Sequence, residues 1–174
     1  MGVNMLLTIG GIILLSTFIL YANGLMFDNV EISSDNEYIV TAIALGQSVI
    51  DEAKTKSFDE NTVTGSVVSS SGLTSSNFWG VDGSGEVVAN PDTADEDGAV
   101  SFAKFDDVDD YDGYVRLVNT PRGENYRVET AVSYASVTYP DSSKSTQTFC
   151  KKMTVTVTSP FFPQPVMLTY AFTY

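Results

Sequence analysis

The distribution of apolar and polar residues changes character twice along the chain. An apolar run occupies Met5 to Met26 (MLLTIGGIILLSTFILYANGLM), and its polar members are Thr8, Ser16, Thr17 and Asn23. At 1.5 Å per residue such a run extends roughly 33 Å as a helix, about the thickness of a bilayer core. Hydroxyls can return their hydrogen bonds to the helix backbone, so the threonines and the serine cost little in lipid. The helical pattern continues beyond Met26. No proline occurs from Phe27 to Lys56, and Ile39, Ala42, Ile43, Gly46, Val49, Ile50 and Ala53 recur at helical spacing. Asp35, Glu37, Asp51, Glu52 and Lys54 fall to an opposite, wetter face. The pattern predicts one helix over residues 1–56, roughly 84 Å long. Gly10-Gly11 and Asn23-Gly24 are where it would bend or unwind, since glycine weakens a helix by about 1 kcal/mol.

After Phe58 the composition shifts to Ser, Gly, Thr, Asn and Asp, and Gly72, Gly80, Gly83, Gly85 and Pro91 punctuate residues 59–98. This reads as a long variable loop with a short strand at Glu86 to Ala89, held to the domain by Phe78 and Trp79. From residue 99 onward, period-two alternation of β-branched and aromatic residues predicts an antiparallel sheet. Its strands are Gly113 to Asn119, a bulged Asn125 to Tyr139, Thr146 to Thr158, and Val166 to Tyr174 after a turn at Pro160 to Pro165. Met153, Val155 and Val157 share one face of the third strand; Val166, Leu168, Tyr170, Phe172 and Tyr174 share one face of the last. Tyr126, Tyr134 and Tyr139 are likewise read as sheet packing. The amphipathic half of the helix is the natural cover for the apolar face. The predicted class is therefore α+β. Its segments are an apolar helix (1–26), an amphipathic continuation (27–58) and a globular head (59–174).

Composition narrows the function. Among 174 residues, 22 are acidic and 9 basic, giving a net charge of −13, and histidine is absent. Ser-His-Asp and Cys-His catalysis are thereby excluded, and the acidity argues against nucleic acid as a partner. A single cysteine, Cys150, rules out an internal disulfide and reads as a small buried residue rather than a reactive thiol. The neighbouring Lys151 and Lys152 read as surface charge. Ser101 to Lys104 matches S-x-x-K, and Ser34-Asp35-Asn36 reads SDN, but the order is wrong and K-T-G is missing. No enzyme is expected, and no cofactor is required.

The segment Phe105 to Gly113 holds five carboxylates. Asp107, Asp109, Asp110 and Asp112 are candidate calcium ligands, because calcium takes six to eight oxygens and a turn with frequent Asp supplies several. The spacing does not match an EF-hand loop, and a solvated acidic loop is the alternative. Asp92, Asp95, Glu96 and Asp97 form a second acidic turn that could add ligands.

An apolar helix continued as an amphipathic one, then a variable loop and an antiparallel sheet, resembles the layout of type IV pilins and pseudopilins. The stretch Ala44 to Lys54 (ALGQSVIDEAK) also looks like the end of a pilin-like helix. The resemblance implies a pilin-like fold and a homopolymeric filament. Val3, Leu6, Leu7, Ile9, Ile12, Ile13, Leu14, Phe18, Ile19 and Leu20 would pack in its core. It implies residence in the inner membrane before assembly, dependence on a pilus assembly machinery, and a final place at the cell surface. Some pseudopilins also bind calcium near this part of the fold. One position departs from the family: its mature N-terminus carries glutamate at the fifth residue, where Met5 stands here. Either Met1 is already the processed residue, or the chain is a differently processed relative. Two other readings of the apolar run are a plain membrane anchor for a surface binding module and a cleaved signal. Against the signal, MGVN carries no charge and Leu20-Tyr21-Ala22 puts a large residue at the −3 position.

Overall fold

The computed structural model describes residues 2–80, 85–93, 98–121 and 123–174, with the backbone alone over 27–35. Met1, Gly83, Asp95, Glu96 and Asp97 therefore lie outside the described residues, as do the side chains of Ser34 and Asp35. The chain divides into two compact units, Met1–Tyr38 and Ile39–Tyr174. Their border falls inside the segment 27–58 rather than at either of its ends.

Helix α1 runs from Gly2 to Ala53. Neither Gly10-Gly11 nor Asn23-Gly24 unwinds it. The hydroxyls of Thr8 and Thr17 donate to Asn4 O at 2.8 Å and Leu14 O at 2.9 Å, so both stay satisfied without water. Gly2–Met26 is long and apolar enough to cross a membrane, a property that signal sequences share. All ten of the predicted core-packing residues are exposed in the single chain, Leu6 by 77% and Phe18 by 69%. The helix ends at Ala53, ahead of the expected residue 56. There Thr55 N and Lys56 N bond back three residues to Glu52 O and Ala53 O at 3.0 and 3.1 Å, and the tightened turn satisfies the last carbonyls.

Within the second unit a five-stranded sheet is ordered β1 (Asp92–Thr93), β2 (Val115–Val118), β3 (Tyr126–Tyr134), β4 (Cys150–Ser159), β5 (Phe162–Thr173). Strands β2 to β5 are antiparallel as expected, but β1 pairs parallel with β2, so the sheet is mixed. The short strand is thus Asp92–Thr93, and Glu86 to Ala89 form no strand. Strand β3 stops at Tyr134, beyond which Ala135 makes a lone bridge to Ser143. The bulge lies between β4 and β5 at Val157 to Ser159, not in β3. Strand β5 begins inside the expected turn and carries Pro163 and Pro165. It tolerates them because it is an edge strand and they fall where pairing slips from Val157–Val166 to Ser159–Phe162.

The last part of α1 covers the sheet. Ala42, Val49, Ile50 and Ala53 are buried, as are Met153, Val155 and Val157 on β4. Gly46 marks the closest approach: a Cβ there would stand 2.3 Å from Leu168 Cδ1, 3.3 Å from Val157 Cγ2 and 3.6 Å from Val155 Cγ1. Gly46→Val is expected to cost about 1–3 kcal/mol through overpacking, read as a lower denaturant midpoint. An unchanged midpoint would mean that helix and sheet are not in this contact.

The aromatic residues divide by position. Tyr126 and Tyr134 are buried in β3, whereas Tyr139 is exposed beyond the strand end and takes no part in sheet packing. Trp79 packs on Tyr134 with ring centroids 4.8 Å apart and pins the loop; Phe78 beside it is exposed.

Candidate functional site

Among the described residues, two buried polar centres and one exposed apolar surface are chemically distinctive. The first centre joins helix to sheet. Glu52, placed on the wetter face by its sequence context, is instead buried. Arg116 Nη2 donates to Glu52 Oε2 at 2.6 Å, while Ser101 Oγ and Tyr111 OH donate to Oε1 at 2.7 and 2.8 Å. Arg116 Nε donates to Tyr114 OH at 2.7 Å, and that hydroxyl donates to Asp92 Oδ2 at 2.7 Å. Burial and the Glu52 carboxylate push the Tyr111 phenol up, keeping it a donor. Ser101, first residue of the S-x-x-K match, is committed to this network.

The second centre surrounds Lys151. Read as surface charge, it is fully buried, because odd positions of β4 face the core with Met153, Val155 and Val157. Its Nζ donates to Phe58 O at 2.8 Å, to Asp59 Oδ2 at 2.8 Å and to Asp109 Oδ1. The rings of Phe58, Trp79 and Tyr134 lie 4.8, 5.4 and 5.4 Å from it. Asp59 is the N-cap of helix α2 (Glu60–Val63) and accepts from Asn61 N at 3.2 Å, Thr74 N at 3.0 Å and Thr74 Oγ1 at 2.9 Å. Burial alone would raise the Asp59 carboxyl, but the Lys151 ammonium outweighs it and holds this group below its ordinary range. Asp109 takes the opposite course: burial pushes it up to about 7 against the pull of Lys151. Lys152, by contrast, reaches Asp141 O at 3.1 Å near the surface.

The four candidate calcium ligands face different partners. Asp107 Oδ1 accepts from Asp109 N at 2.6 Å and Asp110 N at 3.2 Å; Asp110 Oδ2 accepts from Asp106 N at 3.1 Å. Asp109 meets Lys151, and Asp112 Oδ1 accepts from Val132 N at 2.9 Å. No three of them bring oxygens within 4.8 Å of one another. Among the described residues the carboxylates that do converge so closely are Glu60, Asp106 and Asp107. Asp92 belongs to the Arg116 network. Cys150 is buried, and burial pushes its thiol up, as a structural cysteine requires.

Burial and like charges raise Asp107 to about 8, and burial raises Asp110 to about 6. A carboxyl raised on folding binds more protons in the native than in the unfolded state, so its contribution falls as pH rises through this window. The melting temperature is therefore expected to be lower at about pH 8.5 than at about pH 5.5, by on the order of 5 °C. Asp59 has the opposite sign, but its contribution is lost only in acid, below the ordinary carboxylate range. A melt that rises steadily from pH 5.5 to 8.5 would contradict the burial of these groups.

The sequence reading missed both centres. The available signals were the parity of Lys151 with the apolar row of β4 and the position of Glu52 three residues after Val49. No family model matches the chain, and neither a curated protein nor a solved structure is detectably similar to it.

Proposed function

We propose that the chain is a structural subunit of an extracellular, type IV pilus-like filament, assembled by packing of the apolar N-terminal helices. The observation that carries this reading is the exposed apolar surface of Gly2–Met26, attached to a unit whose own core is complete without it. Such a helix is stable in lipid or among copies of itself. A repeated helix contact with fixed rotation and rise builds an open filament rather than a closed ring. Removing side chains such as Leu6, Ile12 and Phe18 from water gains about 1.5–3 kcal/mol each. The gain over lipid is smaller and comes from packing, so extraction from the membrane calls for an energy-driven assembly machine. The head carries most of the charge of −13, so neighbouring heads repel and added salt should assist packing. A secretion-system pseudopilin is the short-filament variant of the same reading.

A membrane-anchored surface module is the competing reading, favoured by the back-bonded hydroxyls of Thr8 and Thr17. Negative-stain microscopy of material sheared from the cell surface, with mass spectrometry of its bands, separates the two. Fibres containing this polypeptide support the proposal; recovery only as detergent-soluble monomers would reject it.

A further inference from the structure

We propose that Lys151 and Asp109 become joined by an isopeptide bond inside the folded unit, with Asp59 as the proton-transferring group. The proposal rests on what surrounds the Lys151 amine. All three groups are at least 97% excluded from solvent, and the two carboxylates belong to different parts of the chain from the lysine. The ammonium has spent its three N–H groups on Phe58 O, Asp59 Oδ2 and Asp109 Oδ1. Aromatic rings of Phe58, Trp79 and Tyr134 close the remaining sides. This burial shuts out bulk water, the competitor that normally keeps an amine and an acid apart. The fold supplies proximity and orientation, the largest part of what an intramolecular condensation needs.

The two aspartates are not equivalent, and their difference assigns the roles. Asp59 is held by the N–H groups of Asn61 and Thr74 and by the hydroxyls of Thr74 and Tyr134, which stabilise it as an anion. An anion so held is a poor electrophile; its Oδ2, 2.8 Å from Nζ, is placed by position rather than by basicity to take the ammonium proton as the amine adds. Asp109 Oδ1 faces Lys151, whereas Asp109 Oδ2 is buried with no hydrogen-bond partner among the described residues. A buried orphan oxygen is costly as part of an anion. It is well placed as the hydroxyl of a neutral acid, the form from which it can leave.

The step balances without an oxidant or a cofactor. The Asp59 carboxylate takes one proton from the Lys151 ammonium. The freed lone pair on Nζ attacks the Asp109 carboxyl carbon, and the C=O π pair moves onto Oδ1. Nζ then gives up a second proton, relayed to Oδ2, as the C–Oδ2 bond breaks and C=O re-forms. One water leaves, an amide N–H remains, and Asp59 ends protonated. The bond joins residues 42 positions apart, linking β4 to the turn at Asp109–Tyr111 and constraining the unfolded chain as a disulfide does.

The intact mass of the purified full-length chain tests this directly and does not depend on activity. The expected mass lies about 18 Da below that of the sequence, the loss of one water. Digestion with trypsin should then yield residues 105–116 linked to residues 145–152, with no cleavage after Lys151. Lys151→Arg and Asp109→Ala should each restore the full mass whether or not they fold well, and Asp59→Ala should leave most molecules unlinked. A wild-type mass equal to that of the sequence, with free cleavage after Lys151, would overturn the proposal. So would a water loss that mapped to Asp59 instead of Asp109.

Discussion

Replacing Glu52 by alanine is expected to destabilise the 39–174 unit by about 3–5 kcal/mol, the cost of leaving one member of a buried ion pair alone. Arg116 is 6% exposed, and the substitution removes its carboxylate partner at 2.6 Å. Tyr114 OH and Ser101 Oγ remain as neutral acceptors, which do not balance a buried guanidinium charge. The Tyr111 and Ser101 hydroxyls lose their acceptor at the same time. In a thermal melt the loss amounts to a drop of about 10 °C or more for a unit of this size. Adding Arg116→Met to Glu52→Met should recover much of it, because well-packed apolar side chains avoid the charge-burial penalty altogether. A change under about 1 kcal/mol for Glu52→Ala would place the pair in the range of solvated surface bridges.

The second large effect concerns the apolar helix. Ile12→Asp is expected to abolish pelletable polymer while leaving the melt of the 39–174 unit unchanged. A carboxylate near the centre of a membrane helix costs about 2.5–3.5 kcal/mol on insertion. A polymer core multiplies that penalty, since each subunit would add its own unpaired charge to a water-free interior. A defect of even 2.8 kcal/mol per subunit contact corresponds to about a hundredfold weaker association. Asp at position 12 lies in the Met1–Tyr38 unit, so the head provides an internal control. Polymer at wild-type yield would mean that Gly2–Met26 makes no subunit contact.

The parts of the fold legible from the sequence were those with strong periodicity. Ala42, Gly46, Val49, Ile50 and Ala53 recur at helical spacing and do bury one face; Met153, Val155 and Val157 alternate and do form the opposing layer. Long-range pairings were not legible. Strand β1 has only two residues, Asp92 and Thr93, and its parallel pairing with Arg116 and Leu117 leaves no local pattern to read. The two buried ionic centres failed for a different reason. Charge was read as a mark of solvent, although Lys151 sits in phase with the apolar positions of β4 and Glu52 flanks the buried stripe of α1. In both cases the partner carboxylate or guanidinium is more than forty residues away in sequence, 42 from Asp109 to Lys151 and 64 from Glu52 to Arg116. Periodicity shows which face a side chain occupies; only the three-dimensional fold shows which opposite charge is waiting there. The acidic segment near Asp107 illustrates the converse. Its density of carboxylates suggested calcium at Asp107, Asp109, Asp110 and Asp112; the structure turns those four toward backbone N–H groups and Lys151, while among the described residues Glu60, Asp106 and Asp107 are the carboxylates that converge.

The claim on which the functional account stands is that Gly2–Met26 of one copy is solvated by the same segment of others. Photocrosslinking from within that segment addresses it most directly, with Phe18 replaced by a photoreactive phenylalanine derivative in cells producing the full chain. Phe18 is 69% exposed in the single chain, so the probe does not disturb an internal contact. The account predicts a ladder of covalent multimers in the sheared surface fraction, with the adducts mapping to residues 2–26 of a second copy. Adducts confined to lipid, with the polypeptide remaining monomeric, would contradict it.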